Sequence, residues 1–287
     1  MALYITSLNS GSNGNCYYIG NDDAAVLVDA GISCRETARR MARLGLSMDK
    51  VKAIFISHEH SDHISGIEQL SKKCSLPVYI TSKTLQAGRL TIDPDLIAPF
   101  KPYEAVNING LSIIAFPKYH DADDPHSFIV SFNGVNIGIL TDIGYACENV
   151  TGYFKQCHAA FLESNYDEEM LKNGGYPFHL KRRISADTGH LSNTQALQLF
   201  LEHRPAFMSH LILSHLSKNN NTPEIVQALF DKHAGPTKII VASRYTETPV
   251  YHITNQGSGI SITTVTARRV KLRTAAGKKN ELQLSLF

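Results

Sequence analysis

Short apolar runs recur along this chain, with turn-forming residues between them. LYITSL, CYYIG, AAVLVDAG, KAIFISH, LPVYIT, LSIIAFP, HSFIVSF, VNIGILTD, AAFLES, HLILSH and TKIIVAS are brief, and many are rich in Val, Ile, Phe and Tyr. Runs of that kind read as strands. Helical periodicity lies between some of them. SCRETARRMARLG places Ala38, Met41 and Leu44 on one face and closes on Gly45. SNTQALQLFLEH opens on Ser192 as N-cap, and TPEIVQALFDKH opens on Thr222 with Pro223 at the first helical position. Strands come first in hairpin-like groups and then alternate with helices. That order predicts a layered α/β protein, sheets inside and helices outside.

With 287 residues, 43% of them hydrophobic, the chain is long enough for one large core or two small ones. The expected organisation is a single domain over residues 1–274 and a flexible tail over 275–287. No run approaches the roughly 20 apolar residues that span a bilayer, so no membrane partner is expected. The opening MALYITSLNSGSNGN has neither a basic start nor a long apolar run, and the five cysteines show no CxxC spacing. Both features point to a cytoplasmic protein with reduced thiols. A net charge of +2 says little about partners. The cations are clustered, however, at Lys181, Arg182 and Arg183 and again at Arg268, Arg269, Lys271 and Arg273.

The densest chemistry is FISHEHSDHISG, directly after the strand KAIF. His58, His60, Asp62 and His63 fall within six residues, and imidazole with carboxylate suits Zn, Mn or Fe. In an extended segment His58 and His60 point the same way. Asp62 and His63 then sit on the turn into a helix, where they address a second metal. Further along, His120 follows LSIIAFP and opens HDADDPH, with His126 as its rival. Asp142 follows VNIGIL, and His215 follows HLILS.

This HxHxDH pattern resembles the metallo-β-lactamase superfamily. The resemblance implies a four-layer αββα fold, two mixed β-sheets between helices, and two divalent metal ions at the sheet edge. It implies one site from His58, His60 and His120 and a second from Asp62, His63 and His215, with Asp142 touching both. Asp29 in VLVDAG matches the superfamily's first motif as a supporting residue.

Local features narrow the resemblance. A diiron oxidoreductase of this fold would carry Glu where His60 stands. Zinc lactamases are typically exported. The stretch between Asp142 and His215 is too short for the extra domain of the long nucleases. SGSNGNCYYI, YHDADDP, GHLSNTQAL and SHLSKNNNTPE resemble the YycJ/WalJ-type exonuclease family from about Leu3 to Val241. The resemblance implies a 5′-to-3′ DNA exonuclease, with mismatch repair as a setting. On that reading Asp62 is catalytic as well as a ligand. His190 protonates the leaving oxygen or holds a phosphate oxygen, and Glu163 orients His190. Ser10, Ser12 and Asn13, in a glycine-bearing loop, and Lys181, Arg182 and Arg183 meet the DNA backbone. The closing QLSLF resembles the peptide that docks bacterial repair proteins on the DNA polymerase sliding clamp, through Gln283, Leu284, Leu286 and Phe287. The competing readings are a small-molecule cyclic phosphodiesterase of the same fold, and a non-catalytic clamp- or DNA-binding module.

Overall fold

The computed structural model describes residues 2–255, and their strands fall into two seven-stranded sheets. The first holds β1 (Ala2–Asn9), β2 (Cys16–Gly20), β3 (Ala25–Val28), β4 (Val51–Phe55), β5 (Val78–Tyr79) and β6 (Ile97–Ala98). The second holds β7 (Ala105–Ile108), β8 (Leu111–Pro117), β9 (His126–Phe132), β10 (Val135–Leu140), β11 (Ala159–Glu163), β12 (His210–Ser214) and β13 (Lys238–Val241). The last strand, β14 (Tyr251–Thr254), returns to pair with β1. The helices are α1 (Cys34–Arg43), α2 (Ser61–Ile64), α3 (Ile67–Cys74), α4 (Ser82–Ala87), α5 (Glu148–Phe154), α6 (Glu168–Asn173), α7 (Phe178–Ile184), α8 (Asn193–His203) and α9 (Pro223–Asp231). Residues 256–287, including the expected docking peptide Gln283–Phe287, lie outside the described residues.

Each sheet begins as an antiparallel meander and ends as parallel strands: β1–β2–β3 then β3–β4–β5–β6, and β7–β8–β9–β10 then β10–β11–β12–β13. Side-chain alternation explains why the central runs are apolar at every position. In β2 and β3, Tyr17, Ile19, Val26 and Val28 face the other sheet, while Cys16, Tyr18, Ala25 and Leu27 face the helices. In β11, Phe161 faces inward and Leu162 packs beneath α5, α8 and α9. The result is four layers, as the sequence implied.

α8 opens on Ser192 in a capping box with Gln195, and α9 opens on Thr222 with Pro223 in its first turn. The face of α1 differs from the expected Ala38–Met41–Leu44 stripe. Its buried residues are Cys34, Thr37, Arg40 and Met41, and Ala38 and Leu44 only flank them. Arg40 is buried because its guanidinium is fully answered. It donates to Glu36 Oε1, Leu8 O, Asn9 Oδ1 and Tyr245 O. Among the described residues no helix is long and apolar enough to cross a membrane. All five cysteines are unbridged thiols.

The strands deliver their last residues to one edge. Asp29, Asp142 and His215 each follow a strand in the left-handed region, with φ of 62°, 55° and 56°. For non-glycine residues that costs on the order of 1–3 kcal/mol each and clusters where function demands it. Gly31 is required beside them. A Cβ there would overlap Asp62 O, which accepts from Asn15 N at 2.7 Å.

The inter-sheet core anchors this edge through the Tyr17–Phe161 contact, with ring centroids 4.8 Å apart. Phe161→Ala is expected to lower unfolding stability by about 3–5 kcal/mol in urea titration. A cost under about 1 kcal/mol would mean the sheets do not pack there.

Candidate metal centre

The site grows from Asp29. Its buried carboxylate accepts from Ser57 N and Ser57 Oγ, each at 2.9 Å, and from His63 Nδ1 at 2.7 Å. Ser57 has one hydroxyl proton and gives it to Asp29, so it accepts from His58 Nδ1 at 2.9 Å. His120 Nδ1 donates to Gly189 O at 3.0 Å. His215 Nδ1 donates to Glu163 Oε1 at 3.0 Å. Each of these imidazoles thus commits one nitrogen outward, and the other is left to face the centre. Partners of that kind fix tautomer and orientation in metal sites.

The inward atoms converge in two sets. His58 Nε2 and His120 Nε2 lie 3.1 and 3.3 Å from His60 Nδ1. His215 Nε2 and His63 Nε2 lie 3.3 and 3.6 Å from Asp62 Oδ2. Asp142 stands between, with Oδ2 3.2 Å from His63 Nε2 and Oδ1 3.9 Å from His120 Nε2. Asp142 Oδ2 is buried and makes no well-aligned hydrogen bond. A buried carboxylate oxygen with no well-aligned hydrogen bond, set among converging imidazole nitrogens, fits a cation. The ligand atoms of His58, His60 and His120 lie within 4.8 Å of one another, and so do those of Asp62, His63 and His215. The residues present fit two divalent ions.

Electrostatics divide the site. Burial pushes His58 well below the ordinary imidazole range, and burial takes His120 down to about 3. At His63 burial acts downward too, but the Asp142, Asp29 and Asp62 carboxylates outweigh it and raise the pKa to about 10. His215 is likewise raised, against burial, by Asp142, Asp62 and Glu163. Burial would raise Asp142, yet His215 and His63 hold it well below the carboxylate range.

Glu163 and His190 complete the floor. Glu163 is 0% exposed, and its oxygens accept from His190 Nδ1 at 2.8 Å, Ile143 N at 2.8 Å and Leu191 N at 3.1 Å besides His215. It is a buried carboxylate answered by four donors, and its ligand atom also lies within 4.8 Å of those of Asp142, His190 and His215. His190 sits between the ligand sets, its ring centroid 5.1 Å from that of His120 and 5.3 Å from that of His215.

Other residues singled out in the sequence fall in different places. His126 opens β9 away from the cluster, with Nδ1 on Asp124 O at 2.8 Å and its ring against Phe100. Ser10 Oγ accepts from His215 N at 2.8 Å, so it supports a ligand from behind. Ser12 and Asn13 are exposed and accept from Arg244. The three α7 cations are not equivalent. Lys181 turns back to Lys172 O, Arg183 pairs with Asp121 beside His120, and Arg182 is exposed. The sequence reading missed Ser57, Asn15, Lys118 and Asn165. Asn15 Nδ2 lies 3.1 Å from both Asp62 Oδ2 and His63 Nε2. Asn165 Nδ2 donates to His215 O at 2.9 Å. Lys118 is buried and donates to Thr141 O at 2.6 Å, and burial lowers its pKa. Ser57 and Lys118 carried a signal by lying beside the motifs at His58 and His120, and Asn15 by lying inside SGSNGNCYYI.

Comparison with known proteins agrees with this geometry. Residues 10–202 match the family model described as the metallo-beta-lactamase superfamily. The chain is 35% identical over 232 residues to exodeoxyribonuclease YycJ of Bacillus anthracis, covering 79% of this chain and 87% of that protein. It is 32% identical over 223 residues to exodeoxyribonuclease WalJ of Streptococcus pneumoniae, covering 76% and 83%. In three dimensions it is similar to the metallo-beta-lactamase fold protein YhfI of Bacillus subtilis, with a TM-score of 0.68 at 15% identity, covering 88% of this chain and all of the other.

Two tests follow from the tautomers. Ligation needs the Nε2 lone pairs of His63 and His215, which are raised above neutrality, so zinc binding at pH 7 should release about two protons and tighten as pH rises. Calorimetry in buffers of different ionisation enthalpy reads this directly, and no buffer dependence would contradict it. Asp29→Asn should weaken metal affinity about 10- to 100-fold in a chelator competition, because His63 loses its fixed acceptor.

Proposed function

The chain belongs to the metallo-β-lactamase superfamily and is a metal-dependent hydrolase, and from that premise we propose that it cleaves phosphodiesters of DNA as a 5′-to-3′ exonuclease. The observation that carries the reading is the pair of ligand sets meeting at Asp142. The similarity to two proteins named exodeoxyribonucleases, over most of each chain, supports DNA as the substrate.

Two divalent ions held there would supply ionised water at neutral pH and neutralise charge on the phosphoryl oxygens. The chain's own groups do the rest. His58, His60 and His120 form a set without a carboxylate, in which burial lowers the pKa of His58 and His120. Asp62, His63 and His215 form a set carrying one carboxylate, with Asp142 between them. Glu163 holds His190 Nδ1, so Nε2 is the atom that exchanges a proton with the leaving oxygen or meets a phosphate oxygen. Arg182 on α7 stands exposed beside this loop and meets the backbone of a longer substrate. Action in DNA repair, with recruitment to the sliding clamp by the QLSLF segment, completes the proposal. It rests on the family resemblance and on those five residues.

The test is hydrolysis of 5′-labelled and 3′-labelled duplexes with Mn²⁺ or Zn²⁺, beside an Asp62→Ala, His63→Ala control. Nucleotides leaving progressively from the 5′ end, with a dead control, support the proposal. DNA intact under every metal while a small cyclic phosphodiester is hydrolysed would overturn it. DNA binding that chelation abolishes, with no cleavage of either substrate, would favour a non-catalytic module. Glu163→Gln, measured at saturating metal because Glu163 also accepts from His215 Nδ1, is expected to lower kcat about 100-fold and flatten one limb of the pH–rate profile. An unchanged profile would remove His190 from proton transfer.

A further inference from the structure

A cavity of about 320 Å³ opens at the same edge, between the ends of β1, β12 and β13 and the start of α9. Ser10 in its wall is the residue whose hydroxyl holds the His215 backbone, and Leu216 directly follows that ligand. The cavity therefore shares a wall residue, Ser10, with the support of the His215 backbone. Its volume falls at the small end of ligand sites, which run from about 300 to 1,000 Å³.

Its lining combines two chemistries. Leu216, Pro223 and Tyr245 supply apolar surface, and Tyr245 is 68% exposed on the rim. Lys218 and Arg244 supply positive charge. Arg39, Arg40 and Arg43 each pair with a glutamate, but among the described residues no carboxylate pairs with Arg244. Its Nη2 donates to Ser12 Oγ at 3.1 Å and Asn13 Oδ1 at 3.2 Å, and its buried Nη1 has no hydrogen-bond partner. Glu224 is the one carboxylate in the lining, against the two cations Arg244 and Lys218.

We propose that this cavity seats one nucleotide unit of the nucleic-acid substrate, its phosphate on Arg244 and Lys218 and its base against Tyr245, Leu216 and Pro223. The inference rests on the nuclease reading and names where the substrate beside the scissile bond is held. A flat aromatic ring takes any base, so the subsite is sequence-tolerant. The cations bind the anion independently of sequence and with salt sensitivity.

The probe is deoxyadenosine 5′-monophosphate, titrated into metal-loaded protein by calorimetry, with inorganic phosphate and deoxyadenosine as separate arms. Melting temperature and metal content check that each variant folds. Tyr245→Ala should weaken nucleotide binding about tenfold, the scale of one stacked base. Lys218→Ala and Arg244→Gln should weaken the nucleotide and leave deoxyadenosine unaffected. Equal nucleotide affinity in wild type, Tyr245→Ala and Arg244→Gln would overturn the subsite, whether or not DNA is cleaved. Inorganic phosphate binding as tightly as the nucleotide would overturn the base contact. Nucleotide binding that these variants lower, in a protein that cleaves no DNA, would support the subsite and overturn the nuclease reading instead.

Discussion

Burying the Asp29 carboxylate costs several kcal/mol unless donors surround it, and the donors that do so fix the rest of the site. Ser57 supplies two of them and His63 the third. Ser57, with its proton spent on Asp29, must accept from His58. One carboxylate thereby sets the ring orientation of a ligand in each metal set, without itself facing a metal. Glu163 does the same on the other sheet for His190 and His215. The centre is therefore gripped from both sheets by carboxylates that never reach solvent.

The candidate ligands were legible through the HxHxDH pattern and the family resemblance it carries, helped by strand ends at His58, Asp142 and His215. Strands that stop at one edge deliver their next side chains to one place. Of the supporting groups, Asp29 and Glu163 were legible at strand ends, whereas the roles of Asn15 and Asn165 were not, because they depend on the path of a loop in space. Charge was misleading on its own. Lys181, Arg182 and Arg183 read as one basic patch, yet two of the three are engaged by Lys172 O and Asp121. Arg40 lies off the apolar stripe expected for α1 and is buried, because four acceptors meet its guanidinium. Periodicity tells where apolar groups go but cannot register such a compensated charge.

The two metal sets differ in their electrostatics. The histidine-only set sits where burial dominates and depresses His58 and His120. The Asp62–His63–His215 set sits where carboxylates dominate and hold protons on imidazole. A cation entering the first meets His58 and His120 lowered by burial, whereas one entering the second competes with protons but is drawn by Asp62 and Asp142. The two positions therefore answer differently to acid and to chelators. The cavity beside His215 belongs to the second, more anionic side, which is where extra cations such as Arg244 and Lys218 matter most for holding a phosphate.

The division of ligands between the sheets also has a consequence in time. His58 to His63 are neighbours in the chain, but His120, Asp142 and His215 arrive on the second sheet, the last of them beyond two parallel crossovers. Non-local parallel pairings form late, since their loops must close first. Neither ion can find its full ligand set until the two sheets have met. The site is thus made by tertiary structure, since either ligand set closes only with residues from both sheets.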